Sequence, residues 1–334
     1  MFRSFSSRSA TPAVEERQFV KHDKYPYKKP ENIKVPEPTP LTAEEQTIYD
    51  KLLGYFSEPD YIIRSTEEHQ KDEVKLPLYE EEKLWLTKDC LIRYARACKW
   101  DFDAAVKRLE LSISWRREFG LIFEHPDVDH LKPETIKDEN STGKSILYGY
   151  DKLGRAILYL KNGRQNTKPS LTQVRILIFF LEALITMNPK NQGFGTLLID
   201  FKHYDVPGTT AKIPNITISR QVLHILQTHY PERLGAACFI NTPYLAHALL
   251  KMLMPFMDPA TKSKIIIDES QVKEIVDLDE LDKDYGGLVD FEFNHDQYWE
   301  DLVTVVADVR ENWLAKFREL GGCLGLEEKD LKPF

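Results

Sequence analysis

The sequence predicts an α/β protein, a mostly parallel sheet covered by helices, preceded by an all-helical module. Three observations predict it. After about Asp138, short β-like runs alternate with helix-periodic stretches, the pattern of crossover units. Before that point the apolar residues recur mainly at helical spacing. The run Thr196-Leu197-Leu198-Ile199-Asp200-Phe201 is almost continuously apolar, as in a strand covered on both faces.

The 334 residues suffice for one large domain and a smaller one, and 42% apolar against 29% charged residues is a globular balance. A net charge of −8 argues against nucleic-acid binding, which favours a basic stripe, and against a simple polybasic membrane surface. Any membrane contact is then local and hydrophobic. Cys90, Cys98, Cys238 and Cys323 are scattered with no C-x-x-C pair, which suits a reduced intracellular protein rather than a disulfide framework. No run of 18 uncharged apolar residues occurs, so no bilayer-spanning helix is expected.

Residues 1–41 read as an extended or disordered tail, with Pro12, Pro26, Pro30, Pro36, Pro38 and Pro40 and little periodicity. Arg3 and Arg8 among serines also fit a short transit peptide, and Phe2 excludes N-myristoylation. Over residues 1–34, eight Lys/Arg against four Asp/Glu give the tail a basic character. Residues 42–128 form the helical module. Thr42 and Glu45 make a capping box that opens a helix through Ile48, Leu52 and Leu53. A polar loop spans 59–77. Leu84, Leu91, Tyr94 and Ala95 repeat at helical spacing, and a further helix starts near Asp101 or Asp103 and carries Ala105, Leu109, Ile113 and Trp115.

Residues 129–293 hold the sheet. Strands at 145–150 and 155–161 flank Asp151-Lys152-Leu153-Gly154, a hairpin signal. Residues 171–187 make a strongly apolar helix, and the strand at 196–201 precedes a helix at 216–227. Then come a strand at 238–241, a helix at 244–254, a strand at 264–267 and a C-terminal helical extension, 294–334, with its helix at 296–320.

Residues 244 to 257, Y-L-A-H-A-L-L-K-M-L-M-P-F-M, stand apart. Lys251 is the sole full charge, and Met252, Met254 and Met257 are three of the five methionines. A helix apolar all round is either buried on every side or has a second apolar contact, a cavity or a membrane. Clustered Met suits a surface that repacks against variable partners.

The neighbouring motifs are His229-Tyr230-Pro231-Glu232-Arg233-Leu234-Gly235, Ile240-Asn241-Thr242-Pro243 and the stretch from Pro255 through Asp258-Pro259-Ala260-Thr261 to Lys264-Ile265. With Leu91-Ile92-Arg93-Tyr94-Ala95-Arg96-Ala97, Asp151-Lys152-Leu153-Gly154-Arg155 and Tyr285-Gly286-Gly287, they resemble the CRAL-TRIO lipid-exchange family over roughly residues 80 to 295, nearest its fungal phosphatidylinositol-transfer branch. The resemblance implies a non-enzymatic carrier without cofactor, its cargo held in an apolar cavity between sheet and helices. It places the phosphatidylinositol headgroup at Glu232, Thr261 and Lys264, with Asp258 nearby. It makes the 244–257 segment a gate, with Leu245, Leu249, Met252, Leu253 and Phe256 on it. Glu232 equally suits an ion pair with Arg233 or Arg96, and Thr261 a helix cap.

Two departures from the family pattern matter. Cys98 replaces a third arginine beyond Arg93 and Arg96, with Lys99 beside it. Leu147, Leu158 and Leu197 fall where polar groups hold phosphatidylcholine in the family's well-known member, and a buried choline phosphate would go unsatisfied there. The expected second ligand is therefore apolar, a sterol, lined by Leu147, Leu158, Leu197, Ile199 and Phe180. The resemblance also implies transient contact with internal membranes (endoplasmic reticulum, lipid droplets or cell periphery) from the cytoplasm; the alternatives are a scaffold presenting phosphatidylinositol to a lipid-kinase partner and an enzyme acting on a lipid headgroup. Gly143-Lys144-Ser145 lacks the first glycine of a phosphate loop, Asp138 standing there, and reads as a loop running into a strand. His224, His229 and His247 lack complementary metal ligands at tight spacing. Asp200 reads as a loop or helix-cap contact rather than a catalytic carboxylate.

Overall fold

The computed structural model describes residues 18–22, 29–68, 74–209, 215–267 and 269–334. The expectations for Met1 to Val14 lie outside them. Helix α1, Ala43–Phe56, starts on the expected capping box, with Glu45 N donating to Thr42 Oγ1 and Thr42 N to Glu45 Oε2. Helices α2 (Glu80–Trp85), α3 (Lys88–Ala97) and α4 (Phe102–Glu118) follow, the last two capped by Thr87 and Asp101. Leu52, Phe56, Leu91, Tyr94, Leu109 and Ile113 bury a core of their own. The polar loop differs from expectation, because Ile62–Arg64 pairs antiparallel with Lys75–Pro77. Fully buried Arg117 holds this ribbon: its guanidinium meets both Glu82 oxygens and donates to the Ile63 and Pro77 carbonyls. Bidentate pairing with every donor used is what makes a buried charge tolerable.

The sheet holds β1 (Ser145–Tyr150), β2 (Ala156–Lys161), β3 (Gly195–Asp200), β4 (Leu234–Ile240) and β5 (Ile265–Ile266), in that spatial order. Only the β1–β2 pair is antiparallel. Its turn is built by buried Asp151, which accepts from the Leu153 and Arg155 amides, the Arg155 side chain and the Thr196 hydroxyl. Gly154 takes φ 72° to close the turn, and Gly149 takes φ 70° at a bulge in β1. At the outer edge of β1, the Tyr298 hydroxyl receives the Leu147 amide at 2.7 Å and donates to its carbonyl at 3.2 Å. Asp200, closing β3, accepts from the Tyr204 hydroxyl, Asn241 Nδ2 and the Lys202 amide, which accounts for it as a clasp between strand ends.

Helix α5 (Leu171–Met187) has the expected bounds and packs on β1 and β2, while α6 runs from Ile216 to His229. After β4 comes α7, Tyr244–Leu253, then a single turn at Met254–Phe256 and α8, Pro259–Ser263. Pro255 ends α7 because it has no N–H to give to the next helical bond. Helix α9, His295–Glu319, packs back on the sheet. Its Tyr298, Trp299, Leu302, Val306 and Val309 join the sheet's core, and the Trp299 ring lies tilted 5.2 Å from Phe179. A short helix, α10 (Glu328–Leu331), follows it. Within the supposed tail, Val20–His22 pairs in parallel with Val289–Phe291, and Ile33 is buried in the main core. Pattern reading missed both because a three-residue strand carries no measurable period.

Candidate functional site

A cavity of about 460 Å³ opens between the sheet, α5, α6 and α7. Leu160, Ile199 and Phe239 form its floor, adjacent in register across β2, β3 and β4. Ile176 and Leu177 of α5 and Val222 and Leu226 of α6 form its sides. Ala246, Leu249, Leu250 and Leu253 of α7 roof it. One end is polar, with Lys144, Ser145, Gln165, Thr167 and Gln173. There Lys144, buried, is paired with Glu139, and burial lowers its pKa. Ser145 opens β1, in keeping with a loop running into a strand.

Helix α7 presents two apolar faces. The inner one is the cavity roof. On the outer side Tyr244, Leu245 and Met252, with Phe256 of the following turn, are 86%, 64%, 52% and 56% exposed, and Lys251 is exposed beside them. Of the expected gate residues, Leu249 and Leu253 thus face the cavity and Leu245, Met252 and Phe256 face solvent. Among the described residues no helix is long and apolar enough to cross a membrane.

At the opposite, leading ends of the parallel strands, Lys264 Nζ stands 3.9 Å from Glu232 Oε2 and 5.2 Å over the Phe194 ring. Both charged side chains remain about a quarter exposed. Glu232 has φ 56°, a left-handed backbone unusual for a residue with a Cβ, and neighbouring Arg233 departs towards Gly193 O and Glu328. The ion pair of Glu232 is therefore with Lys264, neither with Arg233 nor with Arg96. Asp258 caps α8 through the Thr261 amide, and the Thr261 hydroxyl donates to its other oxygen at 2.6 Å. Partial burial raises the Asp258 pKa, but the Thr261 hydroxyl and amide and Gln227 outweigh it and hold the carboxyl below its ordinary value. The fold thus brings Glu232 and Lys264 together and sets Asp258 and Thr261 on the turn leading into Lys264. Arg93 is not among them: it lies buried with Glu328 at 3.5 Å.

Four of the five expected wall residues do not line the cavity. Leu147, Leu158 and Phe180 are buried in the packed core, at 1%, 0% and 0% exposure, and Leu197 packs partly buried against the same core. Only Ile199 of that group is on the wall. The reason is register. Leu158 and Leu197 share a sheet face with Leu160 and Ile199, but sit one pleat nearer the strand starts. Leu160 and Phe239 were within reach of the sequence, since each is two residues along, or directly across, from a residue already chosen.

A family model described as the CRAL/TRIO domain matches residues 140–287, and one described as the CRAL/TRIO N-terminal domain matches residues 48–111. Phosphatidylinositol transfer protein PDR17 of Saccharomyces cerevisiae is 38% identical over 333 residues, which cover 97% of this chain and 94% of that protein. A CRAL-TRIO domain-containing protein of Schizosaccharomyces pombe is 40% identical over 292 residues, 87% of this chain but 27% of that longer protein. The crystal structure of Sfh5 superposes with a TM-score of 0.50 at 19% identity, covering 75% of this chain and 89% of the other, a likeness of fold.

Proposed function

From the premise that this chain belongs to the CRAL/TRIO family, we propose that it carries phosphatidylinositol between membranes and opens α7 to load and release it. The observation that carries this reading is the apolar cavity roofed by a helix whose outer face is also apolar. Each methylene moved from water to such a wall gains about 0.8 kcal/mol, so a lipid leaves a bilayer only for a comparably apolar lining. With α7 shut, Leu249 and Leu253 meet the acyl chains; with it open against a bilayer, Leu245, Met252 and Phe256 meet lipid. The inositol hydroxyls bond to Glu232, and the phosphate to Lys264 and the Thr261 hydroxyl, released from Asp258.

Transfer of labelled phosphatidylinositol between vesicles tests this. Lys264→Ala and Glu232→Lys are expected to slow transfer about tenfold or more with the melting temperature unchanged. Transfer as fast as wild type in both variants would remove the headgroup assignment. A scaffold that presents the lipid to a kinase would bind it yet leave acceptor vesicles unlabelled. The second passenger in this reading is an apolar lipid such as a sterol, supported by the aliphatic and aromatic wall. Mass spectrometry of co-purifying lipids decides it: phosphatidylcholine as the main species, without sterol exchange, would sink the assignment. The proposed place of action is the cytoplasmic surface of internal membranes.

A further inference from the structure

The lipid cavity is not apolar throughout. Where β1 opens, its lining is Lys144, Ser145, Asn162, Gln165, Thr167 and Gln173. Register sets this end. Ser145 lies directly opposite Leu160, and side chains opposite one another share a sheet face. Leu160 is part of the cavity floor, so Ser145 points into the same space. Asn162 comes two residues after Leu160, in the single turn that follows β2.

The charges here are already matched. Lys144 is paired with Glu139, and Lys161, also on the lining, lies 3.3 Å from Asp284 and 3.9 Å from Asp282. Thr167 donates to Glu139 at 2.5 Å and receives the side-chain amides of Gln165 at 2.9 Å and Gln173 at 3.1 Å. Among the described residues of this lining, a phosphocholine head finds no spare cation for its phosphate and no spare carboxylate for its ammonium. Burying it there would be costly.

What stays open is neutral. Ser145 is 5% exposed, and Asn140 takes both its backbone N–H and its carbonyl, but its hydroxyl makes no hydrogen bond among the described residues. That hydroxyl is not sealed in the core, and the cavity is the space it meets. The Asn162 side chain is likewise unbonded among the described residues. Gln165 and Gln173 give their amide nitrogens to Thr167 and keep their side-chain oxygens as acceptors. The other polar lining residues, Asn215 and Ser219, stand at the start of α6, where Asn215 is spent on capping the helix. A nearly buried hydroxyl facing an apolar cavity without a partner calls for a guest that supplies one.

We propose that this end of the cavity reads one uncharged hydroxyl on the second passenger, with Ser145 as the residue that determines specificity. The inference rests on the carrier reading above and gives its second ligand a chemistry, that of a lipid alcohol. A sterol and a diacylglycerol both supply it. The Ser145 hydroxyl donates to the guest oxygen, and the guest hydroxyl donates to the side-chain oxygen of Gln165 or Gln173. The apolar body lies along Leu160, Ile199 and Phe239, beneath α7. Methylating the guest hydroxyl deletes its donor and leaves an acceptor stranded, which is how a site built on hydrogen bonds rejects an analogue.

Lipid uptake tests it. The full chain is incubated with phosphatidylcholine vesicles carrying radiolabelled cholesterol, dioleoylglycerol or the O-methyl ether of either, and the label it takes up is counted. We expect about tenfold more uptake of one alcohol than of its ether, and the alcohol preferred identifies the source of the hydroxyl. Ser145→Ala should bring that alcohol down to the level of its ether, with ether uptake and phosphatidylinositol transfer as in wild type. Asn162→Ala, on a partly exposed turn, should narrow the preference severalfold with the melting temperature unchanged. No uptake of either alcohol, equal uptake of alcohol and ether, or an undiminished preference in both variants would overturn the proposal and leave phosphatidylinositol carriage standing. A wild-type chain that moves no phosphatidylinositol would remove the carrier reading, and this proposal with it.

Discussion

Helices α5 and α7 are nearly indistinguishable as strings: both are rich in Leu, Ile, Phe or Met, and each carries few charges. Their surroundings differ completely. On α5, Val174, Ile178, Phe179, Phe180, Ala183 and Met187 are buried, with Trp299 of α9 packed against the two phenylalanines. On α7 only Ala246, Leu250 and Leu253 are buried, and among the described residues no later element covers Tyr244, Leu245 or Met252. An apolar helix is thus buried core or exposed surface according to whether another layer of chain lies over it, and that layer arrives here from about 120 residues downstream of α5.

The sharpest way to break this comparison is to truncate one side chain on each helix. Phe180→Ala should cost about 3–5 kcal/mol in urea unfolding, the cavity it leaves being walled in by packed neighbours. A loss below about 1 kcal/mol would mean that α5 is not core. Next in size is the converse: Leu245→Asp with Met252→Asp should weaken vesicle binding and phosphatidylinositol transfer about tenfold or more, while urea unfolding stays within about 0.5 kcal/mol of wild type. Transfer at the wild-type rate would make the outer face incidental.

The covered side of the molecule also has a pH signature. His229 stacks 4.3 Å from Trp115, and burial, helped by His224, Arg108 and Arg116, lowers its pKa to about 3 from an ordinary 6.5. Between those values the unfolded chain binds the proton and the folded chain does not, so stability is full above about 6.5 and falls as pH drops towards 3. Glu182, at about 2 folded against 4.5, acts in the same direction in a lower window. His229→Gln should flatten the melting-temperature profile between about pH 6.5 and 4.5, and leave its lower limb. Smallest of all, Met252→Ala should change stability by less than about 0.5 kcal/mol; a larger loss would put a covering layer over α7.

Much of this was legible in the residues themselves. The Thr42–Glu45 box, the bounds of α5 and the Asp151–Gly154 turn are local signals, set by backbone donors and side chains a few positions apart. The motif order also brought Glu232 and Lys264 to one place. What was not legible depends on distance along the chain. Leu147, Leu158 and Phe180 have the right character and, for the strand residues, the right face, but depth beneath α5 and α9 is not written in their periodicity. A second cavity, between the helical module, the end of α5 and the C-terminal helices, was invisible for the same reason, its wall being drawn from positions between 81 and 331.

The tyrosine at the sheet margin has a consequence for life at high concentration. A protein that displays Tyr244, Leu245 and Met252 to solvent invites its own copies to stick, and an open strand would turn such contacts into continuous cross-β stacking. Here the Tyr298 hydroxyl occupies both outward backbone groups of Leu147 on one margin, and the other margin, β5, is two residues long. Copies that meet through α7 therefore find no ladder to extend. Such association is expected to stay reversible, and Tyr298→Phe, which bares the Leu147 N–H and C=O, is expected to promote fibrils.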